Sequence, residues 1–411
     1  MIVLLRLAFR SLGRHRRRSA LTLAAIAFGA AMVVLLWGIG EGTVAWLTHT
    51  AVSGRMGAVQ VHAVGYVDTI DANPIATDFA VSDLDLVGRV AGVRAVAPRI
   101  KFAGIVSTGA SSSMVQVDAI DPVADTAVCP ARTQGFEAGG PLRGAGQARE
   151  VVMGAELAAS LQTKVGDTVT LMAGTRTGAQ NALDFTVVGV TKGGAFLESK
   201  RVILTRIGDA RTLLAMPERA HELAIAIAPD IDADLVAADV RGALSATGAA
   251  QGKFEVHTWK EVSPFMRDAV DRIRIVLRGV SAVLFLVVVM GVANTMLMSI
   301  FERVREIGML LALGMKRRAV LTLFVVEAVV LGGLGGAVGG GIGAAVVLAL
   351  SVRGIDFAPP GSTVDAVLYP VLTPSLVFAV AVAVFVGAVI ASYLPARRAS
   401  RLDPVEALRA L

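Results

Sequence analysis

Long apolar runs and short alternating ones divide this chain cleanly. Four runs, residues 20–40, 275–300, 320–350 and 376–393, are long and apolar enough to read as helices crossing a hydrocarbon core, which takes about 20 apolar residues for about 30 Å. The last is the shortest. The 41–262 segment has another texture, with brief alternating or apolar stretches broken by Gly, Pro and Asp. Strands are predicted at 58–63, 114–120, 150–153, 168–172, 185–190, 223–227 and 253–258. Helices are predicted at 155–161, 209–215 and 233–244, and Ser82 is placed to cap one over 83–90. Interleaved helices and strands give an α+β domain. The Gly/Pro-rich stretch 121–148 reads as an insertion point dividing it into two lobes, the second inserted in the first.

Ser263 and Pro264 form a helix start, with Ser as cap and Pro at the first helical position. The helical pattern then continues to Phe301, a length of about 55 Å. It predicts a stalk that stands above the membrane and runs unbroken through it. Asp268 and Arg272 are spaced to pair along its exposed part, and Arg274 and Arg278 mark the outer interface. In the third run Gly332, Gly336, Gly339 and Gly343 fall on one face, a seam where helix backbones approach closely. Glu327 sits about two turns into that run, and an acid there is costly enough to be a functional candidate.

Charge orients these elements. Residues 1–19 carry six Arg and no acid; the 301–319 segment carries five Lys/Arg against two Glu; the tail 394–411 carries four against two. The loop 351–375 has only Arg353 with two Asp. The basic segments are therefore expected on the cytoplasmic side, with both termini inside. Residues 1–19 then form either an amphipathic surface helix, with Arg6, Arg10, Arg14 and Arg17 on one face, or a plain basic flank. Residues 41–272 carry 21 basic and 26 acidic residues, so the overall charge of +6 lies beside the membrane and does not argue for nucleic acid. The first run reads as a retained signal anchor. Cys129 is the single cysteine, which excludes an internal disulfide.

Enzyme chemistry is absent from the pattern. There is no phosphate-binding G-x-x-x-x-G-K-[ST], no H-E-x-x-H and no G-x-S-x-G, and the five histidines are scattered. Trp37, Trp46 and Trp259 suit interface anchoring or packing. What stands out is the short charged segment between the second and third runs. It is too short for a domain, so it predicts a compact helix at the membrane surface.

That segment, Phe301-Glu-Arg-Val-Arg-Glu-Ile-Gly308 with Leu313-Gly314 and Lys316-Arg-Arg318, resembles the signature of FtsX-like ABC transporter permeases. Glu327 with its glycine-rich continuation resembles it too, as does the tail from Leu394 to Arg409. The order of one span, a large outer domain and three spans is similar. Looser likenesses lie at Val117–Pro122, Val151–Gly154, Lys164–Asp167 and Val187–Val190. Lipoprotein-releasing permeases and macrolide exporters are the branches most alike, and Gly57–Tyr66 resembles the strand after span one in the lipoprotein-releasing branch.

The resemblance implies a four-span bacterial inner-membrane permease with a periplasmic α+β domain. It implies pairing with a second permease, identical or not, and with two copies of a separate ABC ATPase, which binds ATP and Mg; this chain itself holds no cofactor. The ATPase is expected as a separate subunit and not as a domain fused before the first span. Glu302, Arg303, Arg305, Glu306, Gly308 and Gly314 fall on the ATPase-docking coupling helix, with Ile307, Leu310, Leu311 and Gly314 packing on the bundle. The function expected is lipoprotein or lipid release with a periplasmic acceptor. The alternatives are signalling to a cell-wall hydrolase through an outer effector, and macrolide or peptide efflux. Domain expectations are 1–19 cytoplasmic, 20–40 span one, 41–262 periplasmic domain, 263–300 stalk and span two, 301–319 coupling helix, 320–350 span three, 351–375 outer loop, 376–393 span four and 394–411 tail.

Overall fold

A computed structural model describes residues 16–72, 75–144, 146, 148–191, 201–228, 231–246, 252–357 and 366–400. The amphipathic-helix expectation for 1–19 falls largely outside them, as do the end of the tail and the middle of the loop 351–375. The chain divides into two compact units, one of long helices and one holding the sheet.

Four helices in the described residues are long and apolar enough to cross a membrane. The first is α1, Arg16–Ala51, closed by a π-helical turn at Val52–Met56; it continues well past Gly40, where the apolar run ends. The second, α7, is Pro264–Glu302, starting at the predicted proline and running without a break. The third, α9, is Arg317–Arg353. The fourth, α10, is Pro374–Ala399 and passes through Pro395, beyond the expected end at 393. A proline inside a helix removes one hydrogen bond. Here Ala396 and Ala399 are buried against Ile300, Val320 and Phe324, and that packing holds the last turn in place. Ile26, Ala30, Val34, Val292, Met296, Ala328, Leu331, Val384 and Ala388 form the centre of the bundle. The Trp37 indole N–H donates to Ser281 Oγ on α7 at 2.8 Å, a packing contact between α1 and α7.

The glycine seam differs from expectation. Gly332 and Gly336 lie against α10, facing Ala388 and Ala381, whereas Gly339 and Gly343 lie against α1, facing Ala27 and Ala31. Gly335 joins the second group, facing Ile26. The residues span enough of the helix circumference to serve two neighbours. α9 is thus a central helix, wedged between α1 and α10 at backbone distance.

The other unit is built on a mixed sheet. Its strands are β1 Val59–Ala63, β3 Val93–Ser107, β4 Ser112–Ile120, β5 Phe136–Gly139, β6 Glu150–Gly154, β7 Thr168–Gly174, β8 Gln180–Thr191, β9 Val202–Arg206, β11 Glu222–Ile227 and β12 Phe254–Thr258, while β2 Phe79–Ala80 and β10 Arg219–Ala220 pair separately. The path runs β12-β1-β11-β3-β4-β9-β6-β8-β5, and β7 bridges β3 and β8. The strands β3, β4, β9, β6, β8 and β7 therefore close a barrel. It is filled by Phe102, Val106, Val117, Met153, Leu171, Phe185 and Ile203, and plugged by α3 Ala155–Leu161 and α4 Ile207–Leu214. The open end, β12-β1-β11 and the start of β3, carries α5, Ala233–Ala246, and β12 leads into the short α6, Trp259–Val262.

Both parts share β3, whose early residues pair with β11 and whose later ones pair with β4 and β7. The chain passes from the open end into the barrel along this strand and returns between α4 and β11, with the stretch 121–148 lying between these two crossings. That stretch folds as α2 Pro122–Val128, a 3₁₀ turn at Pro130–Thr133 and β5. Asp121 caps α2 by accepting from Val123 and Ala124. The helix expected over 83–90 is replaced by two 3₁₀ turns, Val81–Leu84 and Val87–Arg89, and Ser82 caps nothing.

Candidate functional site

The helix α8, Val304–Ala312, follows α7 after one non-helical residue, Arg303, with φ −116° and ψ 14°. The turn that leads into α9 uses Gly314 at φ +89°, a conformation glycine adopts without strain. α8 is strongly two-sided. Ile307 is buried with Ile300, Val320, Phe324, Ala396 and Ala399, and Leu311 packs beside them; Gly308 is buried as well. Glu302, Arg305 and Glu306 are exposed. Sequence reasoning placed Gly314 against the bundle, but it is exposed and serves the turn. The side chain of Leu310 lies outside the described residues.

Arg303 departs from the surface role expected of it. Its guanidinium turns inward, and Nη1 lies 3.6 Å from Glu327 Oε2, with both side chains largely buried. Ser19, Thr22, Thr295, Ser299 and Leu331 line the same small cleft, and Thr22 donates to Thr295 at 3.3 Å. The intramembrane acid thus has a named cationic partner, at the joint between α7 and α8.

A second charged group, which the sequence did not reveal, sits in the sheet unit where the chain leaves α1. Arg99 on β3 is fully buried. It donates to Asp125 Oδ1 at 2.6 Å, to Glu222 Oε1 at 2.9 Å and to the Arg55 carbonyl at 2.6 Å. Arg132 donates to the carbonyls of Gly54 at 3.2 Å and Arg55 at 2.9 Å, and to Asp118 at 3.2 Å. Lys101 pairs with Glu222 at 2.5 Å. Cys129 contacts Arg99 at 3.1 Å and its thiol donates to the Val52 carbonyl at 3.2 Å. A helix end leaves carbonyls unpaired and carries partial negative charge. Here buried guanidiniums satisfy those of the turn after α1 and fasten it to β3 and α2.

These surroundings displace titrations. Burial alone would raise the Glu222 carboxyl, but Lys101, Arg99 and His62 hold it down at about 2. Burial likewise opposes ionisation of Asp118, yet Arg55, Lys101 and Arg132 keep it below the usual range. Burial pushes His62 down to about 4, against the pull of Glu222. The His62 ring is satisfied by Gln60 Oε1 at 2.9 Å and the His221 carbonyl at 3.2 Å, and it stacks on Tyr66.

Residues 19–243 match the MacB-like periplasmic core domain, and residues 278–404 match the FtsX-like permease C-terminal. The first match alone covers more than half of the chain, and the chain belongs to the MacB/FtsX family of ABC transporter permeases. A macrolide export ATP-binding/permease protein MacB of Hyphomonas neptunium is 28% identical over 414 residues, 98% of this chain and 60% of that protein. A pyoverdine export ATP-binding/permease protein of Pseudomonas entomophila is 35% identical over 160 residues, 38% of this chain and 22% of that protein. An uncharacterized ABC transporter permease of Methanocaldococcus jannaschii is 30% identical over 226 residues, 55% of each. The chain thus spans about 60% of the macrolide-export relatives that it matches along its length. Among solved structures, the periplasmic region of MacB from Actinobacillus actinomycetemcomitans aligns with TM-score 0.38 at 12% identity, covering 52% of this chain and 92% of that one.

Proposed function

We propose that this chain is the inner-membrane subunit of an ABC exporter that works by mechanical coupling. In this reading a separate ATPase, two copies on a pair of permeases, pushes on α8, and the push changes the conformation of the large domain on the far side of the membrane. The two-sidedness of α8 carries the proposal: an apolar face held in the bundle and a charged face of Glu302, Arg305 and Glu306 exposed between two membrane-length helices. No span need open a path through the bilayer for this to work. The basic segments support a cytoplasmic position for α8 and both termini in this reading. Relatives named for macrolide and pyoverdine export favour an amphiphilic small molecule or peptide as cargo, taken up on the periplasmic side.

A second reading, release of lipoprotein or lipid from the membrane to a periplasmic acceptor, draws on the likeness of Gly57–Tyr66 to the lipoprotein-releasing branch. That segment includes β1, which lies between β11 and β12. The test is to purify the complex from native membranes, identify its subunits and measure ATP hydrolysis with a macrolide, a peptide siderophore and a lipoprotein. Stimulation by either small molecule supports export, and stimulation by lipoprotein alone selects release. A complex with no ATPase, or one indifferent to all three with a wall hydrolase bound, would overturn the export reading.

A further inference from the structure

We propose that the buried Arg303–Glu327 pair is a pin that fixes α8 to the third span, so that a push on α8 passes to α9 and, through its glycines, to α1. This rests on the coupling function proposed above and names the residues that would carry it. α8 is joined covalently to α9 through the Gly314 turn and to α7 through Arg303, and the helix breaks at both; at Arg303 the N–H bonds back to Ile300 at 3.0 Å, and the carbonyl accepts from Ile307 at 2.9 Å. A break of this kind lets the two helices bend against each other. The apolar contacts of Ile307 and Leu311 are non-directional and tolerate sliding. The ion pair is a directional contact that favours one register between α8 and α9. A carboxylate and a guanidinium so deeply enclosed are costly to separate, because either one alone leaves a buried charge.

Past Glu327 the third span has little freedom relative to the first. A Cβ built at Gly343 would lie 2.8 Å from Val34 and 2.9 Å from the Ala31 carbonyl, and one at Gly339 would overlap the Ala27 backbone. Backbones in such contact move together or separate altogether. Arg303 and Glu327 are therefore positioning residues for coupling, and Arg303 is not part of the ATPase-docking face.

The experiment uses the full chain in its native complex with the ATPase. A spin label is placed at Leu235→Cys, an exposed position on α5 of the large domain, and Cys129 is buried. The label's response to ATP is recorded alongside hydrolysis in wild type, Glu327→Gln, Arg303→Gln, Glu327→Asp and the exchange Arg303→Glu/Glu327→Arg. The expected result is hydrolysis within about twofold of wild type but a label response reduced about fivefold or more in the two Gln variants. Glu327→Asp, which keeps the charge, should fall between, and the exchange should restore part of the response. A full response in both Gln variants would overturn the pin. So would hydrolysis, response and thermal stability falling in parallel, since that marks a general structural role. If wild type itself shows no response to ATP while hydrolysing it, the coupling function fails and the pin with it, a pattern distinct from the others.

Discussion

His62 shows how a single buried group couples the large domain to its medium. Its pKa is about 4 in the fold against 6.5 when free, so between these values the unfolded chain binds more protons and stability rises with pH. The contribution is complete above pH 6.5, shrinks as pH falls and is gone below about 4. From pH 7 to 5 it amounts to about 2 kcal/mol; Glu222, depressed from 4.5 to about 2, adds its own loss only below pH 4.5. Denaturant titrations of the solubilised chain should show this decline, and His62→Gln should reduce it between pH 7 and 5, leaving the part due to His221, which burial also holds below its free value. At Ala215 the backbone is left-handed, φ 54° and ψ 49°, as the C-cap of α4. Glycine suits that conformation, so Ala215→Gly should raise stability by about 0.5–1 kcal/mol, read as a shift in the denaturation midpoint. Neither site was legible in the sequence as a stability element. In the sequence His62 is only one of five scattered histidines, and its burial follows from β1 lying between two strands. Arg99 and Lys101 were missed because Arg94, Pro98 and these two charges hide the alternation of β3.

At the scale of elements, the long apolar patterns were legible and the short turns were not. α7 starts at the predicted Pro264 and ends one residue past the predicted Phe301, because nothing in its sequence breaks a helix. The strands with clean alternation, such as β4 and β8, also lie where the pattern puts them. Boundaries failed where tertiary contacts decide them: α10 runs through Pro395, and 83–90 forms 3₁₀ turns. The glycines of α9 were seen as one stripe because periodicity cannot count neighbouring helices. Their packing gives a sharp contrast for mutation. Gly339→Ala must push against the Ala27 backbone and should cost about 1–3 kcal/mol. Gly341→Ala, with open space around it, should stay within about 0.5 kcal/mol of wild type. Thermal unfolding in detergent distinguishes them, and equal effects would argue against the α1–α9 contact.

For the whole molecule, the family match and the exposed charges of α8 make docking testable apart from transmission. Glu302→Lys with Glu306→Lys should leave the chain inserted and folded but cut ATPase stimulation about tenfold or more; normal stimulation would sink the docking assignment. The four membrane-length helices and the short charged helix between the second and third could be read from the sequence because hydrophobic length and local charge are sequence properties. The barrel, the shared β3 and the guanidinium clamp on the turn after α1 could not, since each joins residues far apart in the chain. That clamp encloses Cys129, whose sulfur lies between Arg99 and the Val52 carbonyl. The chain therefore carries a native gauge of its own joint. While the clamp is shut a thiol reagent should find almost nothing to label, and any step of the working cycle that loosens the grip on the first helix should appear as a rise in labelling rate at this one sulfur.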